Sequence, residues 1–188
     1  MWYVISASEG AGLYVGFKEK ENKENVEKYL RDGTILEHLN FFKVKPGDCY
    51  FIPSGTIHAI GKGVTLIEIQ QNSNLTYRLY DYNRTDKNGL KWPLHIEKAL
   101  NVIDYNEYNK EQESSNLLGK CKYFSSYKCD ASIDKKIYCK DSFVSITFLS
   151  GEGKINGFDY KKFDSFFISA NQECLLEGNG IYILTKVE

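Results

Sequence analysis

The sequence has little of what marks several large classes of protein. It contains three prolines, and apolar residues make up 42% of it, which excludes a disordered or fibrous chain. Its formal net charge is −1 and it has no long basic run, so there is no electrostatic case for binding nucleic acid or an anionic membrane. No stretch approaches the roughly 18–20 apolar residues of a membrane-spanning helix. We therefore expect a globular protein with neither kind of partner.

Cysteine and histidine are also sparse. The five cysteines lie at wide, irregular intervals without a C-x-x-C pair, which argues against a disulfide framework or a cysteine-based zinc site and favours reduced thiols in the cytoplasm. The three histidines are His38, His58 and His95, and none lies after residue 95. We interpret His38 and His95 as structural. His58 is the remaining candidate for chemistry.

Aromatic residues are abundant, with 14 tyrosines and 11 phenylalanines, and they fall in short segments separated by turn residues. This pattern predicts strands at 1–5 and 13–17, joined as a hairpin, and a helix over 18–31 that is capped by Asn22 or Asn25 and ended by Gly33. A second helix is predicted over 96–102. Further strands are predicted at 123–129, 136–139, 143–149, 164–169 and 180–186, with turns at 150–153 and 156–157.

The central stretch is residues 45–84, KPGDCYFIPSGTIHAIGKGVTLIEIQQNSNLTYRLYDYNR. Turns at 46–48 and 54–56 flank a short strand over 49–53, and Gly61-Lys62-Gly63 separates strands over 57–60 and 64–70. Joined by so tight a turn, the two strands would place His58 and Glu68 near one mouth of a β-layer. From the residues alone, His58 could be a metal ligand or a hydrogen-bonded structural histidine.

This stretch resembles the cupin signature of type I mannose-6-phosphate isomerases, the zinc-dependent phosphomannose isomerases, in particular their short bacterial form. The resemblance is carried by P-x-G-x-x-H-A-I-G followed by EIQQ-x-S-x-x-TYRLYDY-x-R. It implies a mainly β fold, a cupin-type β-barrel or jelly roll over 1–103 with a helical insertion over 18–40. We expect a linker over 104–116 and a second, smaller, degenerate cupin-like β-domain over 117–188. Residues 161–170 loosely repeat 44–54, but the second copy has no histidine and is predicted to be structural.

The resemblance also implies an activity, the interconversion of mannose 6-phosphate and fructose 6-phosphate through an enediolate. It assigns His58 to zinc and Arg78 to the developing negative charge. It gives Glu68 a role in moving a proton or holding a hydroxyl, and we expect Arg84 to bind the sugar phosphate with paired hydrogen bonds. The alternative is that Glu68, Arg78 and Arg84 form surface ion pairs worth at most about 1 kcal/mol each.

In this family a glutamine, a second histidine and a glutamate complete the zinc site, and the resemblance places them upstream of Met1. We therefore expect an incomplete zinc ligand set in a C-terminal portion of the isomerase, inactive alone unless an N-terminal polypeptide complements it. An unpaired sheet edge would then favour self-association. Two rivals are a non-catalytic cupin remnant that binds a sugar phosphate or a protein partner, and a sugar-binding regulator without metal dependence.

Overall fold

The computed structural model describes residues 1–82, 84–110, 116–131 and 135–187. The chain divides into two compact units, Met1–Lys110 and Glu111–Glu188. Both are built mainly from β-strands, as the sequence predicts. Within the described ranges, no helix is long and apolar enough to span a bilayer.

The first unit contains two antiparallel sheets, ordered β4-β1-β6 and β3-β2-β5. Their strands are β1 (Trp2–Ala7), β2 (Gly12–Phe17), β3 (Leu39–Lys43), β4 (Cys49–Tyr50), β5 (His58–Ile60) and β6 (Val64–Glu68). The helical segments are α1 (Lys23–Asp32), a 3-10 turn (Ile35–His38) and α2 (Ile96–Leu100).

Strand pairing in this unit corrects two sequence predictions. β1 and β2 do not form a hairpin, and β5 and β6 are not neighbours: β5 pairs with β2, whereas β6 pairs with β1. The turn between β5 and β6 passes close to Gly12, whose carbonyl accepts the N–H of Gly61 at 3.0 Å. A Cβ on Gly61 would lie 2.3 Å from that oxygen, so this crossing requires glycine. At these two connections the chain thus passes from one sheet to the other, which lets each sheet bury its apolar face.

Helix α1 forms where the sequence predicts a helix, but it begins later, at Lys23. The side chain of Asn22 accepts the backbone N–H of Asn25 at 2.8 Å, which fixes Asn22 as the N-cap. Gly33 ends the helix in the left-handed conformation, with φ of 76°. Val26 supplies the buried contact of this amphipathic helix.

Two clusters of buried apolar side chains form the core of the first unit. One joins the two sheets, and its fully buried members are Trp2, Val4, Leu13, Val15 and Tyr50. The other lies beneath α1 and α2, and its members are Phe17, Val26, Ile35, Leu39 and Leu100. Trp2 therefore packs against residues of both sheets.

The first seven residues of the predicted linker are attached to the first unit. The carbonyl of Tyr105 accepts the N–H of Glu21 at 2.8 Å, and the N–H of Tyr108 donates to the carbonyl of Phe17 at 3.0 Å. The Tyr108 hydroxyl donates to the carbonyl of Phe51 at 2.9 Å. Residues 111–115 of that predicted linker lie outside the described residues.

The second unit contains one antiparallel sheet, with strand order β11-β10-β13-β8-β7 and with β12 and β9 pairing to β10 and β13. Its strands are β7 (Leu117–Lys120), β8 (Phe124–Asp130), β9 (Lys135–Cys139), β10 (Val144–Ile155), β11 (Phe158–Tyr160), β12 (Ser165–Ile168) and β13 (Gln172–Val187). The five strands predicted from the sequence are present, and β7 and β11 are additional.

One of the two turns predicted in this unit is confirmed. Asn156 and Gly157 form the β10–β11 turn, with φ of 49° and 82°. The other prediction, a turn at 150–153, is wrong, because β10 continues through this segment. Gly151 and Gly153 pair there with Gly180 and Gly178 of β13. These glycines allow β10 and β13 to approach closely, since a Cβ on Gly151 would lie 2.0 Å from the carbonyl oxygen of Asn179.

Candidate functional site

His58 opens strand β5, and its side chain is exposed. Its Nδ1 atom lies 2.7 Å from the carbonyl oxygen of Thr56, two residues earlier. The imidazole also packs edge-on against the indole of Trp2, with ring centroids 5.2 Å apart and an interplanar angle of 75°. A proton on Nδ1 shared with Thr56 would leave Nε2 as the nitrogen that can accept a proton or bind a metal.

Glu68 ends strand β6, directly opposite Trp2 of β1. Its Oε1 atom accepts a hydrogen bond from the Trp2 indole N–H at 2.9 Å. Glu68 is an exposed residue, and its carboxylate is bonded to a side chain that is only 2% exposed. Trp2 contacts both His58 and Glu68, so the structure brings these two predicted residues together although they belong to different sheets.

Arg78 lies in the irregular segment after β6 and is half-buried. Its guanidinium lies 5.2 Å from the ring centre of Trp92, a cation–π distance. Its backbone is held at both ends by His95, whose N–H donates to the Arg78 carbonyl at 2.8 Å and whose Nδ1 accepts the Arg78 N–H at 3.2 Å. His95 is thus a structural anchor, in agreement with the sequence interpretation.

Asp81 connects the two predicted arginines. It is buried, and its Oδ1 atom pairs with Nε of Arg78 at 3.6 Å and with Nη2 of Arg84. Its second oxygen, Oδ2, is buried with no hydrogen-bond partner in the part of the chain that the structure describes. The side chain of Arg84 is 64% exposed, so its guanidinium can be reached by a ligand from solvent.

Tyr82 follows Asp81 with a positive φ of 54°. Burial raises the pKa of its phenol, and the neighbouring Tyr14 and Tyr80 raise it further. The phenol is therefore uncharged near neutral pH, and its ring lies 6.0 Å from the guanidinium of Arg84. The Tyr82 ring thus lies beside Arg84 without forming an ion pair with its guanidinium.

Sequence reasoning missed Trp2, Asp81 and Trp92. Asp81 had a readable signal, because it stands three residues after Arg78 and three before Arg84. Trp2 had none, since its partner Glu68 is 66 residues away and the pairing depends on the β1–β6 register. The functional roles of His58, Glu68, Arg78 and Arg84 stay predictions.

The donor set does not by itself fit a complete zinc site. Among the described residues no cluster of three or more histidine, cysteine, aspartate or glutamate side chains is arranged to hold a metal ion. Zinc in proteins needs three or four such ligands, and His58 supplies one imidazole.

No family model matches the chain, but curated relatives do. It is 36% identical over 169 residues to mannose-6-phosphate isomerase ManA of Bacillus subtilis. This alignment covers 85% of this chain and 53% of the relative. It is 35% identical over 162 residues to mannose-6-phosphate isomerase of Streptococcus mutans, covering 82% of this chain and 51% of the relative. The chain thus spans about half the length of the curated relatives it matches.

Solved structures agree with these relatives. The mannose 6-phosphate isomerase of Bacillus subtilis superposes with a TM-score of 0.83 at 31% identity, covering 98% of this chain and 63% of that one. A second structure, described as a mannosephosphate isomerase from Archaeoglobus fulgidus, superposes with a TM-score of 0.74 at 20% identity. The match covers all of this chain and 60% of that one, and at this identity it supports the fold alone. The chain is therefore a phosphomannose isomerase-like protein with a cupin-type β fold.

Proposed function

We propose that this chain carries the sugar-phosphate part of a mannose-6-phosphate isomerase site, which interconverts mannose 6-phosphate and fructose 6-phosphate. The proposal is supported by the names of its relatives and by one observation in the first unit. Arg78 and Arg84 share the buried carboxylate of Asp81, and Arg84 keeps its guanidinium exposed. Such an arrangement holds two fixed positive groups ready for an anionic ligand.

The reaction requires moving a proton between C1 and C2 of the sugar, with negative charge developing on oxygen in the enediolate. Arg78 would stabilise that charge, because cation–π packing on Trp92 and the Asp81 pair already fix its guanidinium. Glu68 would move the proton or hold a sugar hydroxyl. Arg84 would bind the phosphate, because its exposed planar guanidinium can form two parallel hydrogen bonds to phosphate oxygens.

Zinc enters this proposal through the family resemblance. His58 would be one ligand, with Thr56 holding the opposite ring nitrogen. The other ligands would come from a complementing polypeptide or another copy of the chain. We also propose, from the cysteine pattern, that the protein works in the reducing cytoplasm.

The test is to titrate the chain with mannose 6-phosphate by calorimetry and to assay isomerase turnover with and without added zinc. We expect saturable binding that falls about tenfold or more in Arg78→Gln and in Arg84→Gln, since each loses a charge-assisted contact. Arg31→Gln is the matched control, because Arg31 is exposed on α1 and is the one arginine of the sequence besides Arg78 and Arg84. Absence of sugar-phosphate binding by the unmodified chain would overturn the proposal.

The assay also distinguishes the isomerase hypothesis from the two binding hypotheses. Turnover that depends on zinc identifies an isomerase site in the chain or its complex. Sugar-phosphate binding without turnover, with or without metal, identifies a binding module instead. Calorimetry and turnover are measured on the same preparation, so the two results can be compared directly.

A further inference from the structure

We propose that Trp2 is a positioning residue of this site, which holds the carboxylate of Glu68 through its indole N–H and packs against the ring of His58. The inference rests on the proposed function, because it matters only if Glu68 and His58 face a ligand. Trp2 is 2% exposed, yet the two residues that it contacts, His58 and Glu68, are exposed. It therefore joins the rigid interior of the first unit to the candidate site.

The position of the indole is fixed by strand pairing. β1 is the central strand of its sheet, and Trp2 lies opposite Tyr50 of β4 on one side and Glu68 of β6 on the other. The same indole belongs to the apolar cluster that joins the two sheets. A side chain held by two neighbouring strands and a packed core has little freedom to move, so a group bonded to it is placed in advance.

The hydrogen bond itself is of a strong kind. An indole N–H can only donate, and the carboxylate of Glu68 can only accept when it is ionised. The distance from Nε1 to Oε1 is 2.9 Å, a normal N–H···O length, and an ionised acceptor makes such a bond charge-assisted. This bond engages one carboxylate oxygen and leaves the second for a ligand hydroxyl or a proton. A glutamate at an exposed strand end would otherwise rotate among several rotamers.

Trp2 also contacts the imidazole of His58 and restricts its orientation. Thr56 holds Nδ1 of the imidazole, and the Trp2 ring packs on it at 75° with centroids 5.2 Å apart. Edge-on aromatic pairs of this geometry are attractive beyond simple burial. Two contacts from different elements thus restrict the imidazole plane. One buried residue therefore orients candidate groups from both sheets.

The first test asks whether the hydrogen bond exists in solution, independently of any ligand. Nuclear magnetic resonance of the 15N-labelled chain resolves the indole N–H signals of Trp2 and Trp92, which are assigned with Trp92→Phe. In Glu68→Gln we expect the Trp2 signal to move upfield and its proton to exchange faster, while the Trp92 signal stays in place. A Trp2 signal that does not respond to Glu68→Gln overturns the inference.

The second test asks whether Trp2 acts through Glu68. Trp2→Phe keeps an aromatic ring but removes the N–H, and we expect both Trp2→Phe and Glu68→Gln to weaken mannose 6-phosphate binding about tenfold. The double variant should bind no more weakly than Glu68→Gln alone, because the two residues share one interaction. Affinity for inorganic phosphate, which Arg84 would bind, should stay within about a factor of two.

The control is Tyr50→Phe, which removes a polar atom from the residue that faces Trp2 on the other side of β1 and lies in the same cluster. It should leave both affinities unchanged. Equal losses for sugar phosphate and inorganic phosphate in Trp2→Phe, or additive losses in the double variant, would show a general packing role and overturn the inference. Failure of the unmodified chain to bind mannose 6-phosphate would instead refute the proposed function, and the resonance result would still decide the hydrogen bond.

Discussion

Arg78 and Arg84 meet at a single atom, the Oδ1 oxygen of Asp81. The aspartate is 6% exposed, whereas the two arginine side chains are 37% and 64% exposed. The buried partner therefore determines where the two exposed ones lie. This arrangement explains how a segment outside the named strands can still hold two cations in defined positions.

Asp81→Asn should lower the free energy of unfolding by about 1–2 kcal/mol, because a neutral amide replaces the carboxylate of both ion pairs while water screens the exposed arginines. Urea denaturation followed by tryptophan fluorescence measures this, since Trp2 and Trp92 both lie in the first unit. Asp32→Asn, which removes an exposed 3.9 Å pair with Lys28, is the control and should cost under about 0.5 kcal/mol. Equal effects of the two substitutions would contradict a special role for Asp81.

Gly16→Ala tests the docking of residues 104–110 on the first unit. Gly16 has φ of +62°, and an added Cβ would lie 2.3 Å from Cβ of Tyr108. We expect a loss of about 3 kcal/mol or more, from backbone strain together with overpacking. Gly10→Ala is matched, since Gly10 has φ of +74° with open space around it, and should cost about 1 kcal/mol. Thermal denaturation of both variants gives the comparison, and similar losses would mean that Tyr108 is not docked there.

Phe148→Ala should destabilise the second unit by about 3–5 kcal/mol, because it opens a cavity in a closely packed core. Phe148 is fully buried and stacks on Tyr160 with ring centroids 3.6 Å apart. Phe167→Ala is the control, since Phe167 is 64% exposed, and should change stability by less than about 1 kcal/mol. Amide hydrogen exchange of the β10 and β13 residues follows this unit separately from the first. Unchanged exchange in Phe148→Ala would refute the predicted core.

Stability of the second unit should fall as pH rises from about 9 to about 11. Burial, with a smaller contribution from Cys139, raises the pKa of the Cys174 thiol from its ordinary value of 9.0 to about 11. The folded chain therefore keeps a proton that the unfolded chain releases above pH 9, so unfolding is favoured progressively until pH 11. A shift of about two pH units corresponds to a loss of up to about 3 kcal/mol.

Cys174→Ala should reduce this dependence, whereas Cys121→Ala, at a partly exposed position, should not. Urea denaturation at pH 8, 9, 10 and 11, followed by far-ultraviolet circular dichroism, gives the slope for each variant. A slope in Cys174→Ala equal to that of the unmodified chain would assign the effect to other groups.

Local features of the fold could be read from the sequence. Gly33 marks the end of α1, Asn22 or Asn25 its beginning, and Asn156-Gly157 a tight turn, because these residues satisfy backbone requirements within a few positions of themselves. The motif around His58 and Arg78 pointed to the family for a similar reason, as its residues are close together in the sequence. Such signals need no knowledge of distant contacts.

What the sequence determined by itself was therefore the mainly β class, the turn at Asn156-Gly157 and the helix end at Gly33, and it predicted the four candidate residues His58, Glu68, Arg78 and Arg84. Only the tertiary structure decided that β5 and β6 belong to different sheets, that Trp2 reaches Glu68, and that Asp81 is buried between two arginines. An alternating pattern shows which face of a strand is apolar, but not which strand lies beside it. That choice is made by the packing of residues far apart in the chain, and here the same packing places the candidate site.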